Sequence, residues 1–142
     1  MAHQERRAEQ ARKAGADVVG VDPSPSMVKR ASRRVPDATV VEGYAESLPF
    51  LNDEFTHVWA ISTFHHWASP EAGINEVRRV LAPGGRFLVM ERKLKAGKSG
   101  HGFDSDKAQE LSTEIEALGL RDCMVDTMRA KRAEYLVVSG RL

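Results

Sequence analysis

The sequence predicts an α/β fold: a mostly parallel sheet with helices on both faces. Three observations point there. Short β-branched or apolar runs alternate with helix-forming stretches, an order that parallel sheets require because each crossover is a helix. Two of those helices open on a Ser-Pro pair, Ser24-Pro25 and Ser69-Pro70, which places a capping hydroxyl directly before a proline suited to the first turn. The last two strand-like runs follow one another with only a short link, about Met128 to Ala133, and so form an antiparallel pair.

The elements follow in order. Residues 2–14 are Ala, Gln, Glu, Arg and Lys with His3, mostly good helix formers, and Gly15 is placed to end the helix. Its apolar residues are alanines and Met1, so its buried face is thin. Asp17 to Asp22 is a β-branched run ending in an acid, stopped by Pro23-Ser24-Pro25. Met27, Ala31 and Val35 recur at helical spacing until Pro36. Residues 38–41 form a second strand, and Gly43 to Pro49 a loop. Phe55 to Ser62, centred on Val58-Trp59-Ala60-Ile61, is a third strand, with Trp59 expected in the core. Thr63 to Trp67 follows it. Ser69-Pro70 then opens a helix whose face is Ile74, Val77 and Leu81. Pro83-Gly84-Gly85 reads as a turn, and Arg86 to Glu91 as the fourth strand. Residues 92–104, with three lysines and three glycines, read as a loop. Ser105 is the expected cap of a helix running to Leu118, closed by Gly119. Cys123, Val125 and Thr127 alternate with polar residues in a fifth strand, and Glu134 to Ser139 is the last.

Composition bounds the function. At 142 residues the chain supports one core, so residues 1–142 are read as a single domain. With 21 Lys and Arg against 20 Asp and Glu, the net charge of +1 lacks the basic excess of a general nucleic-acid binder. No apolar run is long enough to span a membrane and no apolar leader is visible. One cysteine, Cys123, cannot close an intrachain disulfide, and a cytoplasmic location is expected. The charges are arranged unevenly. Residues 36–77 hold seven acids and neither Lys nor Arg, which is either a solvated acidic face or surroundings suited to a cationic ligand.

Ligands of open parallel sheets bind beyond the carboxyl ends of the strands. That directs attention to Asp22-Pro23-Ser24, to Gly43 to Glu46, and to Ser62 to Trp67. An acid ending a strand can accept hydrogen bonds from both hydroxyls of a ribose. Taken in order, Val18-Val19-Gly20-Val21-Asp22-Pro23-Ser24, Met27, Gly43-Tyr44-Ala45-Glu46-Ser47-Leu48-Pro49-Phe50, Phe55, His65-His66-Trp67 and Val80 to Arg86 closely resemble the S-adenosylmethionine-dependent methyltransferases of the seven-stranded Rossmann-like class, in the small-molecule branch related to ubiquinone and menaquinone biosynthesis. The resemblance runs from about residue 14 to the end.

By position, the resemblance implies that Asp22 binds the ribose hydroxyls and that Pro23, Ser24 and Met27 pack near the adenine. Ala45 and Glu46 would lie beside the adenine's polar edge, and Ser62 and Thr63 would face the methionine part. Two departures are visible. Tyr44 stands where the family usually has an acid; it can stack or offer a hydroxyl but lacks a carboxylate's acceptor pair, for which Glu46 is the available substitute. The family's first strand and Gly-rich loop are also absent. Residues 1–6, where the loop is expected, contain no glycine, so the chain is expected to begin inside the family's first helix as an N-terminally truncated domain. The missing strand is central, and its absence would leave a gap of ~9–10 Å in the sheet.

Other chemistry is weighed against this reading. Gly97-Lys98-Ser99 lacks the earlier glycine of a phosphate loop, since Arg92 stands there. His57, His65 and His66 carry no metal-ligand spacing, so no metal is expected. His65 and His66 lie on the rim where an acceptor would sit. Either is a candidate general base, the alternative being that they shape the pocket or cap the next helix. The lysines of 92–98 read as a solvated loop or as contacts to an anionic substrate. A nicotinamide oxidoreductase would share the strand-ending acid but needs the Gly-rich loop and leaves the later motifs unexplained. The expectation is therefore S-adenosylmethionine-dependent methyl transfer to a small molecule, impaired by the absent loop, with neither nucleic acid nor membrane as partner. The alternative is an inactive methyltransferase-like domain that binds partners or forms an oligomer completing the sheet.

Overall fold

The computed structural model describes residues 2–142, with side chains from residue 5 onward; Met1, counted on the first helix's apolar face, lies outside the described residues. Eleven elements follow the expected order. Helix α1 (Ala2–Lys13) ends at Gly15, whose φ of +89° suits a residue without Cβ. Strand β1 (Val19–Asp22) pairs in parallel with β2 (Thr39–Glu42) through helix α2 (Pro25–Arg34). Strand β3 (Phe55–Ile61), a 3-10 turn at Phe64–His66 and helix α3 (Pro70–Val80) lead into β4 (Leu81–Arg92), parallel to β3. Helix α4 (Ser105–Ala117) precedes an antiparallel hairpin of β5 (Arg121–Ala130) and β6 (Ala133–Arg141).

The sheet is split. Strands β1 and β2 form one parallel pair, and the other four run in the order β3-β4-β6-β5. Among the described residues no strand lies between the two groups. This is the interruption expected from the absent central strand. The core follows from it. The larger sheet buries Ala60, Phe87, Val89, Leu136 and Val138 against Ile74 and Val77 of α3 and Ala108, Leu111 and Ile115 of α4. Helix α2 rests only on a two-stranded support, and none of its residues is buried; its apolar face reaches the interior only at Val35, just past its end.

Four local expectations are corrected. Trp59 is 44% exposed rather than in the core: strand alternation turns Val58 and Ala60 toward the helices and Trp59 to the opposite face. The cap of α4 is Asp104, whose carboxylate accepts from the Lys107 amide at 2.9 Å; Ser105 is the first helical residue. A carboxylate is also favoured there by the helix dipole. Ser24 does sit at the start of α2, but its side chain makes no capping bond and pairs with the Ser26 hydroxyl instead. Finally, β4 begins at Leu81, directly after α3. Leu81 pairs with Phe55 and Arg86 with His57, so Thr56 alone stands opposite residues 82–85 and the Pro83-Gly84-Gly85 turn is absorbed as a bulge.

Candidate functional site

The carboxyl ends of β1, β2 and β3 carry the three segments singled out by sequence. Asp22 ends β1 half-buried. Its Oδ1 accepts from the Ser24 amide at 2.8 Å, a local turn that fixes the carboxylate. The Gly43 amide donates to the Asp22 carbonyl at 3.2 Å, joining the loop after β2 to the end of β1. Added to Gly43, a Cβ would lie 3.1 Å from Val21 and 3.2 Å from Pro49, so glycine suits the close approach.

The loop after β2 is tied to α3. Glu46 accepts from the Ser69 amide at 3.1 Å, and Glu76 accepts from the Leu48 amide at 2.7 Å. Arg79 donates to both oxygens of Glu76, to the Leu48 and Phe50 carbonyls, and to Asn52. Hydrogen bonds from Arg79, helped by the Leu48 amide and opposed by partial burial, hold the Glu76 carboxyl below its usual range. Two acids of the basic-free segment, Glu46 and Glu76, are thus engaged in holding this loop. Glu46 meets the Ser69 amide at the start of α3, and Tyr44, two residues before Glu46, is largely exposed. Pro23 is exposed, and Ser24, Met27 and Ala45 are half-buried.

Past β3, Ser62 adopts φ +52°, a left-handed conformation that costs a residue with Cβ on the order of 1–3 kcal/mol. Its amide donates to the Met90 carbonyl at 2.8 Å, which holds the kink against β4. Thr63 then turns the chain into Phe64–His66. Glu91, near the end of β4, is 1% exposed and receives two bonds from His65: from the amide at 3.3 Å and from Nδ1 at 3.0 Å. A carboxylate buried this deeply needs such partners. Facing Nδ1, it selects the tautomer protonated there and leaves Nε2 as the basic nitrogen. His66 is exposed. Trp67 packs on Phe64 at 4.7 Å and stacks on Phe87 at 6.4 Å, fixing the turn to the core.

Two residues of this rim escaped the sequence reading. Glu91 reads as one more strand residue; an acid ending an otherwise apolar run was the available signal. His101 lies thirty-five positions beyond His66, too far for any local spacing to connect them. Its ring centroid is 5.0 Å from that of His65 and 5.7 Å from that of His66. His57, grouped with them by sequence, instead stands on β3 with its ring against the Thr56 hydroxyl. An open depression of about 410 Å³ lies further along, lined by Arg92 to Ala96, Asp104 to Asp106, Arg132 and Glu134. None of the residues assigned to the cofactor lines it.

With this geometry in view, the profile of a methyltransferase domain family matches residues 4–89. The chain belongs to that family. The matched stretch contains Asp22, Glu46, Ser62 and His65, and ends within β4. An uncharacterized methyltransferase of Synechocystis is 44% identical over 79 residues, which is 54% of this chain and 37% of that protein. A demethylmenaquinone methyltransferase of Beutenbergia cavernae is 40% identical over 77 residues, 54% of this chain and 32% of that one. The chain spans about a third of the length of the curated relatives it matches. Among solved structures, a SAM-dependent methyltransferase of Aquifex aeolicus superposes with a TM-score of 0.70 at 17% identity, covering 88% of this chain and 68% of that one. That likeness shows the Rossmann-like methyltransferase fold. No helix of the described residues is long and apolar enough to cross a membrane.

The fit of S-adenosylmethionine to this methyltransferase-family site is uneven. For the nucleoside half, a fixed carboxylate at a strand end and neighbouring small or apolar residues are present. For the methionine half, Ser62 and Thr63 are in place, while among the described residues α1 occupies the stretch before β1 and the first glycine is Gly15.

Proposed function

We propose that this chain is the core of an S-adenosylmethionine-dependent methyltransferase acting on a small molecule. Asp22 carries the reading: a half-buried carboxylate fixed at the end of β1 by a local amide, inside the family-matched stretch, where the ribose diol would bind. Pro23, Ser24, Met27, Tyr44, Ala45 and Glu46 would border the adenine, and Ser62 and Thr63 the methionine part. S-adenosylmethionine, when bound, supplies a methyl group activated by a sulfonium. Positioning provides most of the rate in such a transfer. The acceptor would sit at the 62–67 rim, where His65 Nε2, backed by Glu91, removes a proton from its nucleophile. His66 beside it is the other candidate base. A menaquinone-type precursor is the acceptor class suggested by the demethylmenaquinone relative. The single cysteine fits a reducing, cytoplasmic location.

The test is calorimetric titration with S-adenosylmethionine and S-adenosylhomocysteine. Binding by the native chain, lost in Asp22→Ala, supports the assignment. No heat at millimolar ligand would count against an enzyme that works as this chain alone.

The split sheet favours a second reading, a module completed by another chain. Among the described residues β1 has a strand neighbour only in β2 and β3 only in β4, so each has an edge that could take an added strand. Sedimentation velocity would show a dimer or larger species; a strictly monomeric, cooperatively folded protein would rule out self-completion.

A further inference from the structure

With His101 beside His65 and His66, the rim holds more imidazoles than the single base of the proposed methyl transfer needs. We propose that His65, His66 and His101 make a binding site for a divalent transition-metal ion of the zinc type, with Glu91 as the carboxylate that orients His65. One ring nitrogen from each histidine lies within 4.8 Å of the other two, and the His65 and His66 ring centroids are 4.0 Å apart. Tetrahedral zinc at its usual bond length sets ligand nitrogens ~3.3 Å apart, so closing the site needs up to ~1.5 Å of movement. The exposed rings of His66 and His101 can supply it by rotation.

The surrounding structure favours the arrangement. Nδ1 of His65 is held by the buried Glu91, leaving Nε2 for the ion, and carboxylate-backed histidines are a recurrent support in metal sites. His101 is delivered by a constrained loop. The Phe103 amide donates to the Arg92 carbonyl at 2.9 Å, and the Leu94 amide to the Phe103 carbonyl at 2.7 Å. Gly102 has φ +154°, and a Cβ there would fall 2.3 Å from the Arg92 carbonyl oxygen, so only glycine permits this closure. Phe103, 1% exposed, meets Phe64 edge-on at 5.9 Å, seating the loop beside the turn that carries His65 and His66. Three neutral imidazoles suit zinc, cobalt, nickel or copper; magnesium and calcium prefer oxygen ligands. Three protein ligands leave a fourth position for water or a substrate atom. A bound ion would join residues 93–104 to the rim. With an ion bound, His65 and His66 serve as its ligands and not as the base of methyl transfer; metal binding is read without cofactor or activity.

Tag-free protein stripped of metal is titrated with Zn(II) by calorimetry and with Co(II) by visible absorption. The expected result is one ion per chain, intense tetrahedral Co(II) bands, and no saturable response to Mg(II). His66→Ala and His101→Ala each weaken Zn(II) binding at least ~10-fold, and Glu91→Gln weakens it ~10–100-fold. His57→Ala leaves it unchanged. Should Glu91→Gln fail to fold, the two exposed histidine variants carry the test. Absence of saturable binding at millimolar Zn(II), or affinity unaltered in both His66→Ala and His101→Ala, overturns the proposal.

Discussion

Replacing Gly73 with alanine opposes two well-defined effects. Gly73 lies in the first turns of α3, where alanine would ordinarily stabilise a helix by about 1 kcal/mol. Here the added methyl would fall 2.4 Å from Trp67 Cε3 and 2.6 Å from Cζ3. The ring cannot swing aside, because Phe64 and Phe87 hold it. Overpacking of a close-packed site costs about 1–3 kcal/mol. The net expectation is a loss of about 0–2 kcal/mol once the helix gain is subtracted. Urea unfolding monitored by circular dichroism measures it. Because the clash is with one side chain, the cycle with Trp67→Ala should show coupling: Gly73→Ala becomes neutral or stabilising in that background. A Gly73→Ala protein more stable than the native one would refute the reasoning, since helix propensity would then outweigh the packing.

Two further predictions concern the loops around the site. Glu76→Gln weakens the tie between α3 and residues 48–52. Arg79 lowers the Glu76 pKa on folding, so this carboxylate's contribution is fully present above its ordinary value of 4.5 and is lost as pH falls through the lower folded value. The stability gap between native protein and Glu76→Gln, measured by denaturant midpoints across pH, should shrink on acidification; a gap that widens would contradict the assignment. Asp104→Ala removes the cap of α4 and should cost ~1 kcal/mol, measurable by thermal unfolding, whereas Ser105→Ala should cost much less.

Much of the fold is legible because its punctuation is local. Ser69-Pro70 announces α3 by sequence neighbours alone, and the apolar run at Val58 to Ile61 is long enough to be a strand in any context. The split of the sheet was also readable, since residues 1–6, where the Gly-rich loop was expected, contain no glycine and no apolar run that could fill the sheet stands nearby. What the sequence hid depends on tertiary choice. Trp59 has the composition of a core residue, but only the packing of α3 and α4 on one face decides which side of β3 is inside. Asp104 and Ser105 are both good caps, and the loop anchored by Phe103 selects between them. For the site, Asp22 and Ser62 follow from strand ends. The link from Glu91 to His65, and from His65 to His101, crosses from one strand end to another and leaves no periodic trace.

The two tryptophans give the molecule an internal optical gauge. Trp67 sits among Phe64 and Phe87, while Trp59 looks out from the opposite face of the sheet. Their emission should therefore separate into a shielded component and a solvent-relaxed one that iodide quenches. Anything that comes to cover β3, whether a second copy or another segment, blue-shifts the solvent-relaxed component and leaves the shielded one in place. Occupancy of the interrupted sheet is thereby reported by native fluorescence, with no label attached.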